Sequence, residues 1–162
     1  MKISLTSRKL LLWLPSVAVA LLIYLLSTDI GSVTTTHTHL FRVLSFFWPG
    51  VERLPPESQR LIETVIRKAA HVAVYTLFST TLFGSFYSSG YPFRKAIAGT
   101  LLVVVLFALG DEFHQGFVRS RTSSLRDVGF DLAGGLIGAT AVGYGALLER
   151  LRQGTLRLTR KG

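Results

Sequence analysis

Cysteine is absent from this 162-residue chain, and acidic residues are few. Without cysteine there is no disulfide, no zinc–thiolate centre and no thiol nucleophile, and nothing reports the redox state of its compartment. Nine Asp and Glu stand against 18 Lys and Arg, which gives a formal net charge of +9. Such a charge indicates nucleic-acid binding when basic and aromatic residues interleave in a soluble block. No such block occurs here, so we expect no nucleic-acid partner.

Long apolar runs are what the chain has instead. Hydrophobic residues make up 49% of the sequence, and the mean hydropathy is +0.43. They gather in four blocks at residues 10–26, 69–87, 96–113 and 131–148. Each approaches the roughly 17–25 residues that cross a hydrocarbon core as a helix, where the backbone must satisfy its own hydrogen bonds. The sequence therefore predicts one all-α domain, residues 1–162, an integral membrane bundle of four transmembrane helices.

The connections between the blocks add detail. Apolar residues within 40–48 fall on about one helical face, so we predict an interfacial segment lying on the membrane between helices one and two. Pro56 suits the first position of a helix, which would run into the second block with Glu63 and Arg67 as an i,i+4 pair. The sequence of residues 90–95 predicts a tight turn between the second and third blocks.

Two features of the first and last blocks bear on packing and processing. The first block, with its basic lead-in, resembles a signal peptide, but apolar residues continue past Ala20 to Leu26, which favours an uncleaved span. In the last block Gly134 and Gly138 form a GxxxG pattern. Small residues at this spacing favour close helix packing, which we expect within the bundle.

Charge predicts the orientation only weakly. The side that holds both termini and the 90–95 turn carries ten Lys and Arg, against eight on the other side. The tail at 149–162 is very basic and suits anionic lipid head groups. We therefore expect a multi-pass protein of the cytoplasmic membrane with both termini in the cytoplasm.

Polar residues gather near the outer end of the last three blocks. Within each block they recur at spacings of three or four, which places most of them on one helical face. Ionisable groups at membrane depth are costly and normally face a bundle interior or a wet cavity, so we predict a functional site here. The set comprises Lys68, His71, Tyr75, Asp111, Glu112, His114, Gln115, Arg119, Arg121, Asp127 and Asp131.

Several chemistries fit these residue types. A histidine beside a carboxylate can transfer protons, and Arg and Lys side chains can hold a phosphate or pyrophosphate. Carboxylates and histidines can also bind a divalent metal, although no compact HxxxH or HExxH motif is present. Buried ion pairs that only hold helices together would leave the same stripes. The inner halves of the blocks lack matching polar residues, which favours a one-sided site over a path through the membrane.

Three motifs in order resemble those of the VanZ-like membrane proteins. Residues 67–75 (RKAAHVAVY) are similar to the family's RKxxHxxxY, and residues 111–115 (DEFHQ) are similar to its DExxQ. The family's closing R…D…N..G pattern is similar to Arg121, the two aspartates at 127 and 131, and Gly134-Gly135. The resemblance covers residues 67–138 and departs from the family at Asp131, where Asn is common, and at Val74, where an acid is common. It implies a four-helix membrane protein, and the family's namesake is associated with resistance to the glycopeptide teicoplanin.

Together these observations predict an extracytoplasmic site that recognises a lipid-linked or cell-envelope substrate. Modification of that substrate is a candidate activity of the site. The bilayer and such an envelope precursor are the expected partners, and no cofactor is identified. The alternative is a non-enzymatic membrane protein that binds a lipid or a protein, with a purely structural polar cluster. The candidate catalytic residues are His71, Asp111 and Glu112, and the candidate substrate-binding residues are Lys68, Tyr75, Gln115, Arg121, Asp127 and Asp131.

Overall fold

The computed structural model describes residues 10–28, 33–118 and 124–159, with the backbone alone at 33–39, 150 and 153–159. Within these ranges the chain is helical and contains no strand, which confirms the all-α prediction. A 3-10 turn at Val51–Arg53 precedes the third helix. The five helices are α1 (Leu14–Ser27), α2 (Val33–Phe47), α3 (Pro56–Ser88), α4 (Phe93–Gln115) and α5 (Leu125–Thr159).

Proline and glycine set the ends of α3. The helix begins at Pro56, as predicted, because a proline in the first turn loses no intrahelical hydrogen bond. It continues without a break through the second apolar block. Gly90 follows its end with φ +94°, a backbone conformation that side chains with a Cβ rarely adopt. The chain therefore reverses within a few residues, and α4 begins directly after Pro92.

In the part of the chain that the structure describes, two helices are long and apolar enough to cross a membrane, judged by length and composition. They are α4, over Phe93–Gln115, and α5, over Leu125–Glu149. α1 is apolar but has 14 residues, fewer than the roughly 17 that a span needs. α3 has ample length, but five Ser and Thr residues and a histidine dilute its apolar block at 69–87. The predicted four spans are thus supported for two helices.

The closest helix packing is between α3 and α5. A Cβ added at Gly134 would lie 2.4 Å from the carbonyl oxygen of Val72, and one at Gly138 would lie 2.4 Å from that of Thr76. The Thr76 hydroxyl also donates to the Gly134 carbonyl at 3.1 Å. Only glycine permits this approach, so the predicted GxxxG packing within the bundle is confirmed.

α1 packs against α3 and α4 and closes the apolar core. Val19 and Ile23 of α1 meet Phe78 of α3 and neighbouring residues of α4. The hydroxyls of Ser16 and Ser85 lie 2.7 Å apart, which ties the start of α1 to the end of α3. The order α1, α3, α4, α5 therefore alternates in direction across the bundle.

Two further stretches of the described chain, α2 and the far end of α5, are also helical. α2 contains the predicted interfacial segment, and Phe46 and Phe47 near its end are 82% and 78% exposed. Such exposed aromatic rings suit a membrane interface, and this placement stays a prediction. α5 continues past the predicted span end at 148 to Thr159, so the described part of the basic tail extends the same helix.

Candidate functional site

Two polar contacts join the beginning of α5 to the first half of α3. The Lys68 ammonium pairs with the Asp127 carboxylate, and one turn further His71 Nδ1 lies 2.9 Å from Asp131 Oδ1. Because the two helices run parallel and the glycines of α5 touch the backbone of α3, equal steps along each helix bring the next pair into register. Asp131 is fully buried, so its contact with His71 is shielded from water.

Asp111 connects α1 to the end of α4. One carboxylate oxygen accepts a hydrogen bond from the Ser27 hydroxyl, and the other accepts one from Gln115 Nε2 at 2.9 Å. Hydrogen bonds to an ionised carboxylate are stronger than neutral ones. The last turn of α1 is thereby fastened over the buried carboxylate.

Glu112 holds the beginning of α5. Its carboxylate accepts a hydrogen bond from the backbone N–H of Ser124 at 2.7 Å. Ser124 directly precedes α5, where free N–H groups and the helix dipole favour a negative charge. Glu112 therefore has an anchoring contact whether or not it takes part in chemistry.

A further buried polar group near these contacts is the Tyr75 hydroxyl. Tyr75 is 1% exposed and lies one turn after His71 on the same face of α3, and its hydroxyl is buried. It has no hydrogen-bond partner among the residues that the structure describes. A buried hydroxyl without a partner is costly, which marks Tyr75 as a donor available to a bound group.

A cavity of about 170 Å³ lies between α1, α3 and α4, and Tyr75 is one of its lining residues. Its volume is below the range of whole drug-sized ligands, so it is too small for an entire lipid and can admit only a small part of one. Proton donors and acceptors face one part of it, and aliphatic side chains face the rest. The lining residues that bear on chemistry are Ser27, Arg67, His71, Tyr75 and Asp111.

The structure brings most of the predicted site residues to one end of the bundle, but on different surfaces. Those that line the cavity are His71, Tyr75 and Asp111. Lys68 and Asp127 line a separate groove between α3 and α5. A third group, Glu112, Gln115 and Asp131, is buried and lines neither opening. Arg119 and Arg121 lie outside the described residues.

His114 does not join the cluster. Its ring stands 5.2 Å from that of Tyr24 on α1, centroid to centroid. In helical projection His114 lies about 60° from Asp111 in one direction and Gln115 about 40° in the other. Gln115 therefore contacts the carboxylate and His114 does not. Within the described ranges no group of three or more His, Asp and Glu side chains could hold a metal ion.

Two polar residues of the cavity were missing from the predicted site. Ser27 directly follows the first apolar block, and a single serine there does not by itself indicate a functional residue. Arg67 was assigned to a pair with Glu63, and this pair is wrong. The buried atoms Arg67 Nε and Glu63 Oε1 have no hydrogen-bond partner in the part of the chain that the structure describes. Arg67 faces the cavity and the neighbouring groove instead.

The all-helical fold, two apolar helices of membrane length and a buried polar cluster at one end indicate a helical membrane protein. Residues 10–146 match the VanZ/LLP1 family, and the chain belongs to this family. The matched range contains every described residue of the cluster. Neither the curated proteins nor the solved structures include a match to the chain.

Proposed function

We propose that this VanZ-like protein crosses the cytoplasmic membrane four times, through α1, α3, α4 and α5, with both termini in the cytoplasm. The alternating directions of these helices support this topology. Ser27 and residues 68, 111 and 127 share one end of the bundle, while the 90–92 turn and the basic end of α5 share the other. The polar site then faces the outside.

We further propose that the site recognises a lipid-linked or cell-envelope substrate and offers it acid–base chemistry. The observation that carries this proposal is the cavity that exposes Tyr75, His71 and Asp111 to a small polar group. A substrate that arrives from the bilayer would place that group in the cavity and leave its apolar part among lipids. Arg121 remains a candidate for binding an anionic part of it.

His71 is the proposed proton-transfer residue. We assign the Nδ1 hydrogen to the contact with the Asp131 carboxylate, which leaves the lone pair on Nε2. This fixed tautomer would let Nε2 accept a proton from a bound hydroxyl. The carboxylates of Asp111 and Glu112 would stabilise the positive charge that develops on the imidazole. Two hydrogen-bond donors hold Asp111 in place, and the start of α5 holds Glu112.

The runner-up is a non-enzymatic membrane protein whose cluster holds the helices together. A specific observation favours it: Asp111, Asp127 and Asp131 each already contact a side chain of another helix. In this reading the cavity binds a lipid or a partner without turnover, or serves no ligand.

Asp111→Asn distinguishes these functions because asparagine has nearly the same shape. Its amide can accept from Gln115 and donate to the Ser27 hydroxyl, so both contacts survive while the charge is lost. Wild type and variant are incubated with extracted envelope lipids, and products and retained lipids are identified by mass spectrometry. Glu57→Gln, which removes an exposed acid from the first turn of α3, is the matched control.

A product formed by wild type and Glu57→Gln but not by Asp111→Asn supports an enzyme. Lipid retained without turnover, and lost in Asp111→Asn, supports a binder. If Asp111→Asn lowers only the folding yield, the cluster is structural and the proposed function fails.

A link to teicoplanin resistance is a separate proposal that rests on family membership. Expression in a susceptible bacterium tests it, with Asp111→Asn as the paired variant. A higher inhibitory concentration for wild type alone supports the link. Equal sensitivity of the wild-type and empty-vector strains removes it.

A further inference from the structure

A second depression lies on another face of α3. It is an open groove of about 890 Å³ between α3 and the beginning of α5. Residues 65, 69 and 72 line the groove, whereas residues 66, 70 and 74 line the cavity. A shift of one position is about 100° around a helix, so the two openings face different directions.

The groove has an excess of positive charge. Three cations line it, Arg67, Lys68 and Arg126, against one carboxylate, Asp127. Lys68 and Asp127 pair with each other. Neither arginine has a salt bridge among the described residues, and Arg67 Nε is buried without a hydrogen-bond partner there. Two guanidinium groups therefore remain available for an anion, and the planar fork of each matches phosphate oxygens.

Apart from Thr64 and Ser124, the rest of the groove is apolar. Val65, Ala69, Val72 and Ala73 form one wall, and Phe130 forms part of the other. Small side chains at 69 and 73 leave room for a chain to lie between the helices. A free phosphate would make no favourable contact with this apolar surface, whereas the hydrocarbon of a lipid would bury apolar area there.

We propose that the groove binds an anionic lipid, with its phosphate on Arg67 and Arg126 and the upper part of one hydrocarbon chain between α3 and α5. This deepens the proposed function and rests on it, because it makes a phosphate ester of a membrane lipid the anionic part of the substrate. Arg67 lines both the groove and the cavity. It would therefore lie between the bound phosphate and the proton-transfer residues.

Binding of dioctanoyl phosphatidylglycerol to the full chain in detergent tests the proposal, by titration calorimetry. Arg67→Gln and Arg126→Gln should each weaken binding about tenfold or more, since each removes charge-assisted hydrogen bonds to phosphate. Arg60→Gln, an exposed arginine of α3 outside the groove, should bind as wild type does. Because Arg126 is exposed, its variant keeps the test valid if Arg67→Gln folds poorly.

Two further probes identify the part of the ligand that is recognised. Dioctanoylglycerol, which lacks the phosphate, and inorganic phosphate, which lacks the chains, should each bind at least tenfold more weakly than the phospholipid. Equal binding by inorganic phosphate overturns the lipid assignment. Unchanged phospholipid binding in both groove variants overturns the proposal itself.

Asp111→Asn separates this proposal from the proposed function. The substitution lies outside the groove, so the variant should bind phosphatidylglycerol as wild type does. If it loses the envelope-lipid product while Arg67→Gln and Arg126→Gln bind the probe normally, the proposed function stands and the groove proposal fails. If probe binding depends on both arginines while Asp111→Asn behaves as wild type with envelope lipids, the groove binds lipid but the proposed catalytic site is wrong.

Discussion

Gly134→Ala should damage both the stability of the bundle and the geometry of the site. The added Cβ would meet the Val72 carbonyl oxygen at 2.4 Å, and ordinary contact begins at 3.4 Å. The oxygen belongs to helix backbone and cannot turn away, so α5 must move from α3 by about 1 Å. The hydrogen bond between His71 and Asp131, 2.9 Å long and one turn away, would stretch beyond the range of a hydrogen bond.

The expected loss combines two contributions. Overpacking of this kind costs about 1–3 kcal/mol, and a lost hydrogen bond to a buried group costs about 1 kcal/mol more. For a chain of 162 residues the total lowers Tm by about 5–15 °C. Thermal unfolding of the purified protein in detergent measures this shift.

Gly145→Ala is the matched control because it lies on the same helix with nothing within 4 Å of the added Cβ. Its Tm should stay level or rise, since alanine favours a helix over glycine by about 1 kcal/mol. A double-mutant cycle with Asp131→Asn tests the geometric part: if Gly134→Ala has already separated the pair, Asp131→Asn should cost less in that background. Equal Tm values for Gly134→Ala and Gly145→Ala would refute the close approach of α3 and α5.

Three further results are expected. Gly90→Ala should destabilise the protein by about 1–2 kcal/mol, because only the positive φ opposes it, and Gly90→Asn should cost less; thermal unfolding of both decides this. Ser27→Ala should speed hydrogen exchange at the end of α1 and lower stability by about 1 kcal/mol, since Asp111 loses a donor; unchanged exchange would contradict that contact. Lys68→Met should cost about 3 kcal/mol by leaving Asp127 buried without its partner. Adding Asp127→Asn should restore most of that loss in denaturant unfolding.

The helices themselves could be predicted where the local sequence determines them. Pro56 fixes the start of α3, Gly90 fixes the turn after it, and Gly134 with Gly138 requires a close neighbour. Each of these follows from backbone geometry or from the absence of a side chain. The identity of that neighbour, α3, depends on the whole bundle.

The pairing within the cluster could not be predicted for a related reason. Spacing shows which residues share a helical face, but not which residues of another helix they meet. His71, Asp111 and Glu112 were predicted as the catalytic residues, yet the hydrogen-bond partner of His71 is Asp131 and that of Asp111 is Ser27. The relative rotation of the helices decides these partners. For His71 and Asp131, the glycine contacts between α3 and α5 determine that rotation.

The short length of α1 has a consequence for the surrounding lipid. The regular helix Leu14–Ser27 is about 21 Å long, against a hydrocarbon core of about 30 Å, and the helical and turn residues at 10–13 extend the apolar segment before it. Under the four-span proposal a bilayer thicker than this segment must thin beside α1, or the polar end of the helix must be drawn inward, and either adjustment costs a fraction of a kcal/mol per ångström. The contact of Ser27 with Asp111 would then lie deeper below the head groups in thick bilayers than in thin ones. Acyl-chain length should therefore tune how readily water reaches the cavity.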